Sequence, residues 1–154
     1  MKAAIFALDT GAYKAKAESA AASALKRMLE QVGFEVKAAG FLPQDREVVA
    51  SVMIHLADSG SVQLILTTGA VGYLEEDCAP DALTDAAERL LPGIPEALRA
   101  FNIRHSKKVI LDRSAAGIRK KTVLINLPES AKTAKEDMEY ILPEVVQAVD
   151  TLNL

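Results

Sequence analysis

Tryptophan is absent from this 154-residue chain, and cysteine, histidine and the other aromatics are scarce: one Cys, two His, three Tyr and four Phe. The single thiol, Cys78, excludes an intrachain disulfide framework and a thiolate zinc cluster, which fits a reducing compartment and makes the cytoplasm the expected location. Neither sign of charge is in strong excess, with 18 basic residues against 21 acidic. The basic residues are scattered apart from Lys107-Lys108 and Arg119-Lys120-Lys121, which argues against a nucleic-acid partner. Long hydrophobic runs are missing as well. The opening KAAIFALD meets an acid at Asp9, too short for a membrane span and without the small-residue cleavage site of a signal peptide. No linker, low-complexity tract or repeat divides the chain, so one domain over residues 1–154 is expected.

What is present is aliphatic. Half the residues are apolar, a quarter are charged and 26 are Ala, a composition suited to helices lying close against a sheet. AAIFAL (3–8) reads as a strand buried on both faces, closed by an Asp9-Thr10-Gly11 turn. A helix follows, with Ser19 as N-cap and Gly33 as its stop. FEVKAAGFL (34–42) reads as a less buried strand. Asp45 caps a helix whose stripe is Val48, Val49, Val52, Met53 and Leu56. VQLILTT (62–68) is the clearest buried strand, and it runs straight into Gly69-Ala70-Val71-Gly72. Helices are expected over Pro80–Leu90 and Ile94–Phe101, strands at KKVILD (107–112) and TVLINLP (122–128), and a long helix from Ser130, broken or kinked before Pro143. Alternating apolar strands and helices predict an α/β fold, a three-layer α/β/α sandwich around a mostly parallel sheet.

In such sheets ligands bind beyond the carboxyl ends of the strands, where backbone N–H groups and helix N-termini meet anions. Four segments are expected to converge there: Asp9–Gly11, Thr67–Asp77, Asp112–Arg119 and Asn126–Lys132. The residues alone lead to an anionic or phosphate-bearing ligand held by Thr67, Thr68, the Gly69 and Gly72 backbone, Asp77, Arg113, Arg119 and Lys132. GAVG is neither the dinucleotide GxGxxG nor the P-loop GxxxxGK[ST], and a strand followed by a glycine turn is most often only a tight connection. His55 and His105 lack ligand-spaced partners and read as packing or surface residues. Cys78 has no activating neighbour in sequence and reads as a passive thiol.

Taken together, the strand-end segments resemble the MoaB/Mog family of molybdopterin-binding proteins, whose enzymatic branch adenylylates molybdopterin with Mg-ATP. LILTTGAVGYLEEDCAPDAL (64–83) looks like the family's LxLTTGGTGxxxRDxTPDA, and LPGIPEALR (91–99) like its VPGxxEALR. LDRSAAGIRKKTVLINLPESAKTAKE (111–136) is similar to LSRxxAGIRGKTLIVNLPGSPKAVKE, and the Asp9 turn matches a family SDR. The resemblance runs almost the whole chain. It implies a trimeric α/β/α sandwich, with pterin and nucleotide as ligands and other molybdenum cofactor proteins as partners. By position it implies that Thr67, Thr68 and Gly69 help form the pterin and phosphate pocket and that Gly72 closes the turn. Asp77 matches the acid needed for adenylyl transfer and would meet the magnesium, with Asp45 the next catalytic candidate. Asp9, Asn126 and Pro128 line the site, and Arg113, Gly117, Arg119 and Lys132 keep family positions.

The departures cluster in the same segments. Gln44 stands where the family has an Asp after Pro, with Asp45 beside it. Ala70 and Val71 replace the second Gly and the Thr of TTGGTG, Glu76 an Arg, Ala79 a Thr, Asp112 a Ser and Glu129 a Gly. Added carboxylates oppose a polyanionic ligand, and an Ala forced to positive φ costs about 1 kcal/mol. These two effects are expected to weaken phosphate binding.

Overall fold

A computed structural model describes residues 1–154. In chain order the elements are β1 (Lys2–Leu8), α1 (Thr10–Lys14), α2 (Ala20–Gln31), β2 (Glu35–Leu42), α3 (Arg46–Asp58), β3 (Leu64–Thr68), α4 (Ala79–Ala86), β4 (Arg89–Leu90), α5 (Gly93–Asn102), a 3-10 helix (Lys107–Leu111), β5 (Ala116–Arg119), β6 (Thr122–Leu127) and α6 (Ala131–Leu152). The six strands form one sheet in the order β2-β1-β3-β6-β5-β4. β1, β2, β3, β6 and the two-residue β4 run in one direction, and only β5, between β6 and β4, runs antiparallel.

Alternation along the buried strands divides the core into two layers. Ala3 and Ile5 of β1, Leu64 and Leu66 of β3, and Val123 and Ile125 of β6 face α2 and α6. Ala4, Phe6, Ile65 and Leu124 face α3 and α4 on the other side. The expected three-layer sandwich is therefore present. Helix starts follow the sequence: Ser19 accepts from the Ala22 N–H and Asp45 from the Glu47 and Val48 N–H groups. On α3 the buried stripe is Val49, Ala50, Met53 and Ala57, with Val48 exposed.

Several expected elements differ. The Asp9–Gly11 turn is the start of a helix: Asp9 caps α1, its Oδ1 accepting from the Ala12 N–H at 2.8 Å. KKVILD is not a strand. It forms a 3-10 turn with Ile110 69% exposed, because the sheet edge beside β6 is taken by Ala116–Arg119 just downstream. The helix expected to Leu90 stops at Ala86. There the Ala87 backbone is extended and the Glu88 N–H donates to the Ile118 carbonyl, handing the chain to β4. The last helix is continuous through Pro143: that residue is exposed, while Ile141, Val145 and Val149 keep one packed face. No helix is long and apolar enough to cross a membrane.

Candidate functional site

Thr67 and Thr68 end β3 between β1 and β6, and both are buried. Thr67 serves the neighbouring strand: its Oγ1 accepts from Asn126 Nδ2 at 2.8 Å, and Asn126 Oδ1 accepts from the Ala115 N–H at 3.0 Å. The Asn126 side chain thus pins β3, β6 and the approach to β5. Thr68 lines a small cavity with Asp9, Ser19 and Glu129 at the start of α2.

Beyond Thr68 the chain turns by placing Gly69 at φ 84° and Ala70 at φ 55°. The glycine suits the left-handed region and the alanine is strained there, as its position in the sequence predicts. The Gly69 N–H returns to the Leu127 carbonyl at 3.0 Å, whereas those of Ala70, Val71 and Gly72 donate to no acceptor within the chain. Three successive N–H groups are thus left as donors with no acceptor in the chain, the kind of group with which backbone turns can meet an anion. Glu129 stands beside this turn: a Cβ on Gly69 would lie 3.7 Å from its Cβ and Cγ atoms.

The loop is closed by Asp77 and Arg113. Asp77 Oδ2 accepts from the Leu74 N–H at 3.0 Å, while its Oδ1 takes no hydrogen bond from the chain. The Arg113 N–H donates to the Val71 carbonyl at 2.8 Å, and its guanidinium reaches Asp81 at 2.9 Å. Gln44 joins from the opposite side, its N–H donating to Thr10 Oγ1 and its Nε2 to the Glu76 carbonyl. Asp45, the second catalytic candidate, uses Oδ1 to cap α3. Cys78 is buried at the loop's end, and burial pushes its thiol pKa up, in keeping with a passive thiol.

On the other side of β6 lies a polar cavity of about 320 Å³ that includes Asn126 and Pro128. Its floor is tied by Asp112: Oδ1 accepts from Ser114 Oγ at 2.7 Å and Oδ2 pairs with Arg99 Nη1 at 3.2 Å. The Asp112 charge is therefore already offset, which corrects the expectation that it opposes an anion as Glu129 does. Asp137, on α6, is 2% exposed and accepts from Asn102 Nδ2 at 2.8 Å. Burial raises its pKa from the ordinary 3.8 to about 6.

Residues 4–147 match the probable molybdopterin binding domain. The chain belongs to that family. It is 32% identical to the molybdopterin adenylyltransferase of Helicobacter pylori strain 26695 over 108 residues, 70% of this chain and 61% of the relative. Against the Escherichia coli K12 molybdopterin adenylyltransferase it is 33% identical over 100 residues, 65% of this chain and 51% of that protein. The chain therefore spans between half and two-thirds of the length of these curated relatives. The crystal structure of the molybdopterin biosynthesis enzyme MoaB from Thermus thermophilus superposes with a TM-score of 0.86 at 29% identity, covering 98% of this chain and 95% of that one. The Mog protein from Mycobacterium ulcerans, 22% identical, has the same fold at a TM-score of 0.89, with 98% of both chains covered.

Within this molybdopterin-binding fold the strand ends gather Asp9, Thr68, Gly69, Gly72, Asp77, Arg113, Asn126 and Pro128, with Lys132 exposed in the first turn of α6. Arg119 and Gly117 are not among them. β5 runs antiparallel, so its last residue, Arg119, emerges at the opposite end of the sheet and pairs with Asp58 at 2.8 Å. That guanidinium holds the Asp58 carboxyl below the usual range. Gly117 is needed by packing, since a Cβ there would lie 2.7 Å from the Arg89 carbonyl. Arg99, Asn102 and Asp137 are not singled out by the sequence, and they line the cavity together with His105, expected there to be a packing or surface residue. A signal existed for Asp137: it interrupts the stripe Ala134, Met138, Ile141, Val145 with an acid where α6 faces the core.

Proposed function

We propose that this chain acts in molybdenum cofactor synthesis by binding molybdopterin and transferring AMP to it from Mg-ATP. The observation that carries the reading is the 69–77 loop at the strand ends, with its three free N–H groups and the unpartnered Asp77 Oδ1. In the reaction, an oxygen of the molybdopterin phosphate attacks the α-phosphorus of ATP. The bond from that phosphorus to the bridging oxygen breaks, and pyrophosphate leaves.

Charge builds on the α-phosphate, and the groups suited to meet it are the N–H groups of Ala70, Val71 and Gly72 and the exposed Lys132. No cluster of three acids, histidines or cysteines is present to cage a metal. Magnesium is commonly bound by one or two carboxylates with substrate phosphates supplying the rest, so Asp77 suits an ion that arrives with the nucleotide. Arg113, held by Asp81, is better placed to stiffen the loop than to swing onto the ligand.

The chain would work as one unit over residues 1–154, in the cytoplasm, as a homotrimer serving other molybdenum cofactor proteins. Exposed Tyr73, Leu74, Ile110 and Leu111 support burial between copies. Sedimentation at micromolar concentration is expected to give about three times the 16.5 kDa of one chain, and a 16.5 kDa species would remove the trimer.

Incubation with molybdopterin, ATP labelled in the α-phosphate and Mg²⁺ tests the reaction. Label transfer with pyrophosphate release is expected. Molybdopterin binding without transfer would favour a carrier in which Glu129 and the strained Ala70 have disabled nucleotide binding, and binding of neither ligand would end both readings.

A further inference from the structure

Asp137 is an acid where the fold calls for an apolar side chain. It lies on α6 between the buried Ala134 and Met138, and it is 2% exposed. A carboxyl withdrawn from water this far is costly unless its oxygens find donors. Only Oδ1 finds one within the chain, from Asn102 Nδ2, whose amide also donates to the Leu98 carbonyl at 2.9 Å. Asn102 is thereby fixed, and it fixes the carboxyl in turn. No fully buried side-chain oxygen in the molecule lacks a partner, so Oδ2 reaches the cavity that Asp137 lines.

The cavity, about 320 Å³, lies at the lower end of the roughly 300–1,000 Å³ usual for small-molecule sites. Its other polar groups leave donors to spare. Arg99 uses Nη1 alone on Asp112 and Ser114, and Lys108 forms no ion pair. A fitting ligand would therefore present a pair of N–H donors to Asp137 and an acceptor to Arg99 or Lys108.

We propose that Asp137, oriented by Asn102, is a specificity-determining residue that reads the 2-amino-4-oxopyrimidine edge of a pterin. This deepens the reading proposed above and rests on it. The exocyclic 2-amino group and the adjacent ring N3–H of a pterin point the same way and match the two oxygens of a carboxylate. Oδ2 accepts one of them, and the remaining lone pair of Oδ1 accepts the other. Asn102 is a positioning residue, since it acts through the carboxyl.

The test compares two pteridines that differ at the edge in question: pterin, with a 2-amino group, and lumazine, with a 2-oxo group. Fluorescence titration of the full chain at pH 7.5 with each is repeated for Asp137→Asn and, should that variant fold poorly by thermal unfolding, Asp137→Ser. Molybdopterin itself is titrated in parallel. The wild type is expected to prefer pterin by at least tenfold, and the variants to lose that preference to within about threefold. They should also bind molybdopterin more weakly, with adenylyl transfer showing a raised KM and little change in kcat.

Equal binding of pterin and lumazine by the wild type overturns the inference, as does a variant that keeps the preference or the molybdopterin affinity. In those cases the proposed function stands. If the wild type binds molybdopterin but neither simple pteridine, the molybdopterin affinities of wild type and variants decide. Failure of the wild type to bind any of the three overturns the inference together with the functional reading.

Discussion

Gly72 lies directly beneath the Asp77 carboxylate: a Cβ at Gly72 would stand 2.6 Å from Asp77 Oδ2 and 3.3 Å from its Cγ. The glycine is needed here for close approach and not for a left-handed turn, since its φ is not positive. Gly72→Ala should therefore displace the carboxylate while leaving the sheet untouched. Adenylyl transfer is expected to fall at least tenfold, with a loss of about 1 kcal/mol or less in denaturant stability. Unchanged turnover would mean that the carboxylate need not stay where it is.

Asp77→Asn separates charge from geometry at the same place. The amide oxygen can still accept from the Leu74 N–H, so the loop should keep its shape. What is lost is the anionic Oδ1 available to a nucleotide-bound magnesium. Turnover should drop by two orders of magnitude or more, with an unaltered melting temperature. If the rate survives, the role passes to Asp45, whose own carboxylate is engaged by the start of α3.

The two acids that replace family residues near the strand ends should behave differently. Glu129 is exposed beside Gly69 and has no cation partner, whereas Asp112 is paired with Arg99 and accepts from Ser114. Glu129→Gly is expected to tighten ATP binding about three- to tenfold at low salt, with the gain shrinking as salt screens it. Asp112→Ser frees Arg99 but unties Ser114 and the floor of the cavity, so it should weaken pterin binding. Ala70→Gly relieves a residue held at φ 55° and should raise stability by up to about 1 kcal/mol. Equal gains from both acidic substitutions would contradict this division.

What could be read in the sequence and what could not differ by a physical criterion. β1, β3 and β6 are buried on both faces, so each is an unbroken apolar run, and their order with the intervening helices forces a layered parallel sheet. KKVILD has the same local character but lies outside the core, and nothing within six residues tells an apolar surface turn from a strand. The edge strands β4 and β5 are short and depend on pairing with distant residues, Arg89 with Ile118 and Leu90 with Gly117. The direction of β5 is not legible in the sequence, so the expected place of Arg119 at the site differs from its position at the opposite end of the sheet. The Thr67–Asn126 bond joins residues 59 apart, a relation that only the folded register reveals.

The buried Asp137 makes the stability of the fold depend on pH. Its folded pKa, about 6, lies above the ordinary 3.8, so between these values the native state holds a proton that the unfolded state has released. Stability from this group is thus greatest below pH 4 and falls as pH rises through 6. The difference corresponds to about 3 kcal/mol at pH 7, taken as an upper bound. Burial is the main cause. Asn102 on α5 opposes the shift by its hydrogen bond, while Asp112 and Glu136 add to it. Arg99, His105 and Lys108 also line the cavity that Asp137 faces. Asp137→Asn removes the titration, so its stability relative to wild type should rise from pH 4 to pH 7 by about 1–3 kcal/mol, measured by urea unfolding at each pH. A pterin that donates to the carboxylate should draw the pKa back down, so that binding at pH 5.5 releases most of one proton in the wild type and none from this position in the variant. A stability difference that does not change between pH 4 and 7 would show that the folded carboxyl titrates at its ordinary value.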